Sequence, residues 1–168
     1  QVNEIREPNF TVGNFEVQSI YVNHPGVTMG FRIKIGDTVV TYATDTEPYR
    51  RLLPGAHDGT DQMATDYALE RDKMLEALVR DSDLYIADSQ YTPADYETKR
   101  GWGHTSYPDA VDLAMSANAR RVALFSHDPM HDDDAIDKKV AHCKELAAGT
   151  KLEVIPAIEG EAIELIKP

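Results

Sequence analysis

Cysteine is almost missing from this sequence: Cys143 is the only one in 168 residues. No internal disulfide can form, and a reducing compartment, the cytoplasm, is the expected setting. Long apolar runs are missing too. No stretch approaches the ~18 uninterrupted apolar residues of a membrane span, and nothing at the N-terminus reads as a signal peptide, so no membrane partner is expected. Basic charge is scarce, with 17 Lys and Arg against 29 Asp and Glu and a net charge of −12. That balance argues against bulk binding of nucleic acid or anionic lipid. An anionic substrate stays compatible with it, because a bound divalent metal can reverse the local field. Internal repeats, linkers and low-complexity segments are absent as well. What is present is a hydrophobic share of 42%, enough for one folded domain of ordinary size and too much for a disordered chain.

The hydrophobic pattern alternates between two periods, which predicts an α/β organisation. Phe15, Val17, Ile20 and Val22 fall in a strand-like run. Phe31, Ile33 and Ile35 alternate with Arg32 and Lys34, and Gly36-Asp37 turns the chain into Thr38–Ala43, a hairpin pattern. Residues Thr44 to Thr65, with Pro48, Pro54, Gly55 and Gly59, read as a long loop. From Leu69 the period becomes helical, with Leu75, Leu78 and Val79 on one face. Leu84–Ala87 is a short buried strand ending on Asp88. Ala110, Leu113, Ala114 and Ala117 mark a second helix, capped by Thr105 or Ser106 with Pro108 in its first turn. Val122–Phe125 is another buried strand, and Ile136, Val140, Cys143 and Ala147 a third helix. Leu152–Ile155 and Ala162–Ile166 read as closing strands.

Several predicted strands end on polar, metal-competent residues: Asn23-His24, Thr44-Asp45, Asp88-Ser89 and Ser126-His127-Asp128. Strand ends of α/β folds are where ligands and catalytic groups collect. Histidine and carboxylate suit zinc, manganese or iron(II), and no thiolate is near enough for a cysteine-rich structural site.

At these same residues the chain resembles the metallo-β-lactamase superfamily, in particular the branch with ribonuclease Z and the cyclic-phosphate phosphodiesterases. The segments that carry the likeness are Asn23-His24-Pro25-Gly26 with Met29–Ile33, Val39–Thr46 around Asp45, Ala87–Thr92 around Asp88, Gly103-His104-Thr105-Ser106, and Leu124–Pro129 around His127. The resemblance implies a fold class of α/β, the C-terminal half of an αββα sandwich, and a metal-dependent hydrolase, foremost a phosphodiesterase. It implies two divalent ions, zinc foremost and manganese or iron as alternatives, with His24 on one metal, His127 on the other and Asp45 bridging. Two ions ~3.5–4 Å apart can activate water and neutralise the transition state of phosphoryl transfer. His104 would act beside the phosphate as an acid or a stabiliser of developing charge, and Asp88 would orient it. The expected substrate is a small phosphodiester. A catalytically silent binding module, or a hydrolase of a thioester or lactam, are the alternatives.

One departure from that superfamily is large. Its His-x-His-x-Asp-His loop does not occur in these residues. Residues 1–168 are therefore expected to be a single domain fragment, the second half of the fold, and inactive in isolation. Such a half would expose an inner sheet face, with Phe31, Ile33, Ile35, Val39 and Val122–Phe125 in an apolar patch. It should pair with its N-terminal half or with a second copy, as a homo-oligomer. Outside the site, His57 reads as a solvated loop residue, and Asp132–Asp134 beside His131 as helix-capping charges. His142 and Cys143 read as packing or surface residues, Trp102 as either lining the site mouth or packing its loop, and Met63, Met74 and Met115 as gap-filling.

Overall fold

The computed structural model describes residues 8–53 and 62–165. His57, Pro54, Gly55, Gly59 and Ile166 lie outside the described residues. Among the described residues seven strands form one sheet in sequence order: β1 (Asn9–Val12), β2 (Phe15–Tyr21), β3 (Met29–Ile35), β4 (Thr38–Ala43), β5 (Leu84–Asp88), β6 (Arg121–Phe125) and β7 (Glu153–Pro156). The first four are antiparallel neighbours, and β4 to β7 run parallel. Parallel neighbours need a crossover, and the helices supply it: α1 (Gln62–Val79), α2 (Pro93–Lys99) with α3 (Tyr107–Ser116), and α4 (Asp133–Leu146).

Register explains which residues face the helices. Thr41, Tyr85, Val122 and Val154 stand side by side across β4 to β7, and all four are buried. The core there closes around Val79, Val111, Ala114, Leu124, Val140 and Cys143. The adjacent row, Phe31, Tyr42, Ile86, Ala123 and Ile155, faces the other way. On that side Tyr42, Ile86, Phe125, Pro156, Ile158 and Ile163 line an open apolar hollow of about 380 Å³. Val39, Val122 and Leu124, expected in an exposed patch, belong to the helix side instead and are buried there, because strand alternation sets them one residue out of phase with the open row.

Other expectations change with the structure. The stretch from Thr44 to Thr65 is not one long loop: a 3-10 turn occupies Tyr49–Leu52, held by Asp72, and α1 already starts at Gln62. Ala162–Leu165 is no strand, because β7 ends the ladder and these residues find no strand partner among the described residues. Of the methionines, Met63 is 79% and Met74 39% exposed, so these two fill no core gap, whereas Met115 packs against the core. Trp102 is also exposed. Ser106 is the N-cap of α3. Asp132 caps α4 by accepting from the Ala135 amide, and Asp133 and Asp134 lie in its first turn. No helix among the described residues is long and apolar enough to cross a membrane.

Candidate metal and phosphoryl site

Four side chains singled out in the sequence converge at the carboxyl ends of β4 and β5: His24 from the turn after β2, Asp45 after β4, Asp88 at the end of β5, and His104 from the loop before α3. Asp88 is 1% exposed and acts as the hub. Its Oδ2 accepts from His104 Nδ1 at 2.7 Å and from the Asp45 amide at 2.9 Å. Its Oδ1 accepts from the amides of Thr105 at 2.9 Å and Gln90 at 3.3 Å. His104 Nδ1 also lies 3.7 Å from Asp45 Oδ1. Asp45, Asp88 and His104 each offer a ligand atom within 4.8 Å of the others, a spacing that a metal ion could span.

The protonation states follow from these contacts. Burial pushes Asp88 up, against the four donors that favour its ionised form. Burial alone would pull His104 down, but the hydrogen bond and charge of Asp88, with Asp45 and Glu47 behind them, raise it overall. Because every contact to Asp88 is a donor, the shared proton belongs on His104 Nδ1. That leaves His104 Nε2 as the atom that can give or take a proton.

His24 is held differently. Its Nδ1 donates to the Gly103 carbonyl at 3.0 Å, so the lone pair of the neutral ring is on Nε2, the state a metal ligand needs. Asp45 keeps its side chain about half exposed and sits at φ 52°, in the left-handed region, as does Ser126 at φ 56° just before His127. Such conformations cost about 1 kcal/mol or more and collect at functional sites.

His127 lies at the end of β6 among a second set of partners. Its Nδ1 is 3.2 Å from Lys139 Nζ, which also donates to the carbonyls of Ser89 at 2.8 Å and Gln90 at 3.2 Å. Burial, with Lys139 and His131 nearby, pushes His127 down to about 4, so it is neutral at pH 7. An ammonium can only donate. Nδ1 therefore accepts, and the ring proton sits on Nε2, a buried atom with no partner among the described residues. The ligand-spaced group of three among the described residues is Asp45, Asp88 and His104, and no such group gathers around His24 or His127. The donor types and the Nε2 lone pair of His24 still suit a divalent metal. His127 fits through Nε2 once Lys139 leaves Nδ1.

Two residues with large parts in this arrangement were not singled out from sequence: Lys139, and Glu47, which is 1% exposed and accepts from Gly101, Gly103 and Tyr96. Lys139 carried a local sign, since it stands between Ile136, Val140 and Cys143 on the buried face of α4. Beyond the site, His131 Nε2 meets Asp95 at 3.3 Å and Lys99 meets Asp128 at 2.6 Å, which ties α2 to the loop after β6.

No family model matches the chain. Ribonuclease Z of Sulfurisphaera tokodaii is 39% identical over 62 residues, which are 37% of this chain and 20% of that protein. Among solved structures, the metallo-β-lactamase fold protein YhfI from Bacillus subtilis matches with a TM-score of 0.61 and 18% identity, over 92% of this chain and 52% of its own. The short form of human tRNase Z matches with a TM-score of 0.57 and 14% identity, over 95% and 48%. A diphosphatase of the PhnP family matches with a TM-score of 0.55 and 14% identity, over 98% and 50%. The chain spans about half the length of these solved relatives. The mixed seven-stranded sheet, with its helical crossovers and an open apolar hollow on the other face, is thus a metallo-β-lactamase-type α/β fold, present here over about half the length it has in those proteins.

Proposed function

We propose that this chain forms part of a metal-dependent phosphodiesterase, with His24, Asp45 and His127 as its share of the metal ligands. The observation that carries this reading is the meeting of His24, with Nε2 free, and the exposed Asp45 carboxylate with the Asp88–His104 pair. Zinc suits this set of nitrogen and oxygen ligands, with manganese or iron(II) as alternatives. Two such ions would supply an activated water and neutralise charge on the phosphoryl oxygens. Asp88 holds the His104 ring so that Nε2 can protonate the leaving alkoxide, a role typically worth about 10²–10⁴ in rate. Ser106, the N-cap of α3, follows that donor by two residues, and helix starts favour anionic groups. A small phosphodiester suits the net charge of −12 better than a long nucleic acid does.

The open sheet face belongs to the same reading. Tyr42, Ile86, Phe125 and Ile155 would be covered by the other half of the sandwich, or by a second copy of this chain. If a second copy covers this face, Ile86→Glu should shift the molecular mass seen by light scattering to a smaller species. An unchanged mass would remove the second copy as the cover.

The test of the activity is paired. In the intact protein, metal-loaded and then stripped by chelator, hydrolysis of a nitrophenyl phosphodiester should appear and vanish with the metal. His104→Ala should lower kcat strongly on an alkyl diester and much less on the nitrophenyl ester, whose leaving group needs little protonation. Metal content should be unchanged. Loss of metal would make His104 a ligand instead, and equal defects on both esters would remove its role as acid.

A further inference from the structure

We propose that Glu47 is the positioning residue of this site, fixing the loop of Gly101–Gly103 and, through Gly103, the tautomer of His24. Its importance for catalysis rests on the metal-site reading above; the tautomer it imposes does not.

Glu47 is a carboxylate 1% exposed, and no lysine or arginine forms an ion pair with it among the described residues. Burying such a charge is costly unless its oxygens are met by donors. Here they are met by main chain and phenol. The Gly101 amide lies 2.9 and 3.0 Å from the two oxygens, the Gly103 amide donates at 3.0 Å, and the Tyr96 hydroxyl at 2.5 Å. The two glycine amides converge on one oxygen, and the Tyr96 hydroxyl meets the other. An amide could keep both glycine bonds by turning its NH2 to the phenol oxygen, whereas an apolar side chain would strand all three donors.

The placement of these bonds matters more than their number. The Glu47 amide donates to the Asn23 carbonyl at 2.9 Å, so this one residue joins the segments that carry His24, Asp45 and His104. Gly103 sits at φ +86°, and a Cβ there would run into His24 Nδ1 and Pro25 Cδ. The loop and the imidazole are therefore in direct contact, and a shift of Gly103 moves the ring. The same glycine gives its N–H to Glu47 and takes the His24 Nδ1 proton on its carbonyl. Glu47 touches no reacting atom; it acts by holding the carbonyl that keeps His24 Nε2 unprotonated.

The experiment uses the intact, metal-free protein labelled with ¹⁵N. Long-range imidazole spectra should show His24 protonated on Nδ1. Amide exchange should show Gly101 and Gly103 protected although they lie in a loop. In Glu47→Met, the Gly103 amide should exchange roughly 10–100 times faster, the factor expected when a hydrogen bond to a charged group is lost. The His24 tautomer should become mixed while Ile86 in β5 keeps its exchange rate. Tyr96→Phe, which removes one donor and leaves both glycine bonds, should keep the tautomer. A wild-type His24 protonated on Nε2 overturns the proposal, and so does a folded Glu47→Met with tautomer and Gly103 exchange unchanged. If Glu47→Met does not fold, the wild-type tautomer, the Gly103 protection and Tyr96→Phe decide. The expected tautomer in a protein that binds no metal would remove the metal reading and leave the positioning role in place.

Discussion

Two histidines, one after β2 and one after β6, carry opposite protons, with three strands between them in the sheet. His24 donates from Nδ1 to a carbonyl and presents Nε2 as a lone pair. His127 accepts at Nδ1 from a lysine and keeps its proton on a buried Nε2. Both are neutral-imidazole ligands in the proposed site, so residue type alone does not tell them apart. The partner of the second nitrogen does, because it decides which ring nitrogen is available. His24 is ready for a metal through its own chain, held by a glycine carbonyl that cannot change charge. His127 is ready only after Lys139 gives way. One half of the site is preset and the other is conditional.

The largest expected effect separates the two as ligands. His24→Ala should lower the zinc affinity of the intact protein by more than about 100-fold, beyond the usual cost of removing a ligand's supporting partner. His127→Ala should cost less, since wild-type binding already bears the work of displacing Lys139. Calorimetric titration of both variants against wild type measures this directly. Equal losses would show that His127 is as preset as His24.

A second, smaller effect concerns Lys139 itself. Lys139→Met leaves the Ser89 and Gln90 carbonyls and His127 Nδ1 without their donor. Urea denaturation of the metal-free chain at pH 10, where the folded lysine no longer bears a buried charge, should show a loss of about 1–3 kcal/mol, the usual cost of stranding buried polar groups. In the same variant His127 should lose its preference for the Nε2 proton, while His24 keeps Nδ1–H. If His127 in wild type is protonated on Nδ1, the contrast between the two rings disappears.

What could be read from sequence divides along the same line. The hairpin β3–β4, the short strands β5 and β6 and the helices α3 and α4 were legible because alternation and helical spacing are local. The ends of β4, β5 and β6 pointed to Asp45, Asp88 and His127 for the same reason. The helix α2 was missed although Thr92-Pro93 with Asp95 is a capping box with proline in the first turn, and both reciprocal bonds are present. The strand β1 was missed because it is four residues long and only Phe10 and Val12 alternate. Glu47 had no local sign at all. It sits in a polar stretch beside Pro48, and its partners lie 49 to 56 residues away. The proton positions on His24 and His127 likewise depend on contacts made by residues distant in sequence.

The smallest expected effect is a pH dependence set by the lysine that holds His127. Burial pulls Lys139 down to about 8 from its ordinary 10.5. Burial pushes its neighbour Cys143 the other way, from 9.0 up to about 12. A cation depressed on folding penalises the fold fully below its folded value, and the penalty is gone above its unfolded value. Stability of the metal-free chain should therefore rise as pH climbs from about 8 toward 10.5. A thiol raised on folding works in reverse, since its contribution is intact below 9 and is lost as pH climbs toward about 12. Between pH 8 and 9 only the lysine is active, and the gain should be about 1 kcal/mol. From 9 to 10.5 the two nearly cancel, and beyond that stability falls. Urea midpoints taken across this range would trace a shallow maximum. Lys139→Met should abolish the rise and keep the fall, and Cys143→Ala should keep the rise and delay the fall to about pH 10, where the buried tyrosines Tyr85 and Tyr96, also raised on folding, begin to cost stability. A wild-type profile flat from pH 8 to 9 would mean that Lys139 keeps an ordinary ammonium there and stays a charged donor on His127 Nδ1 throughout.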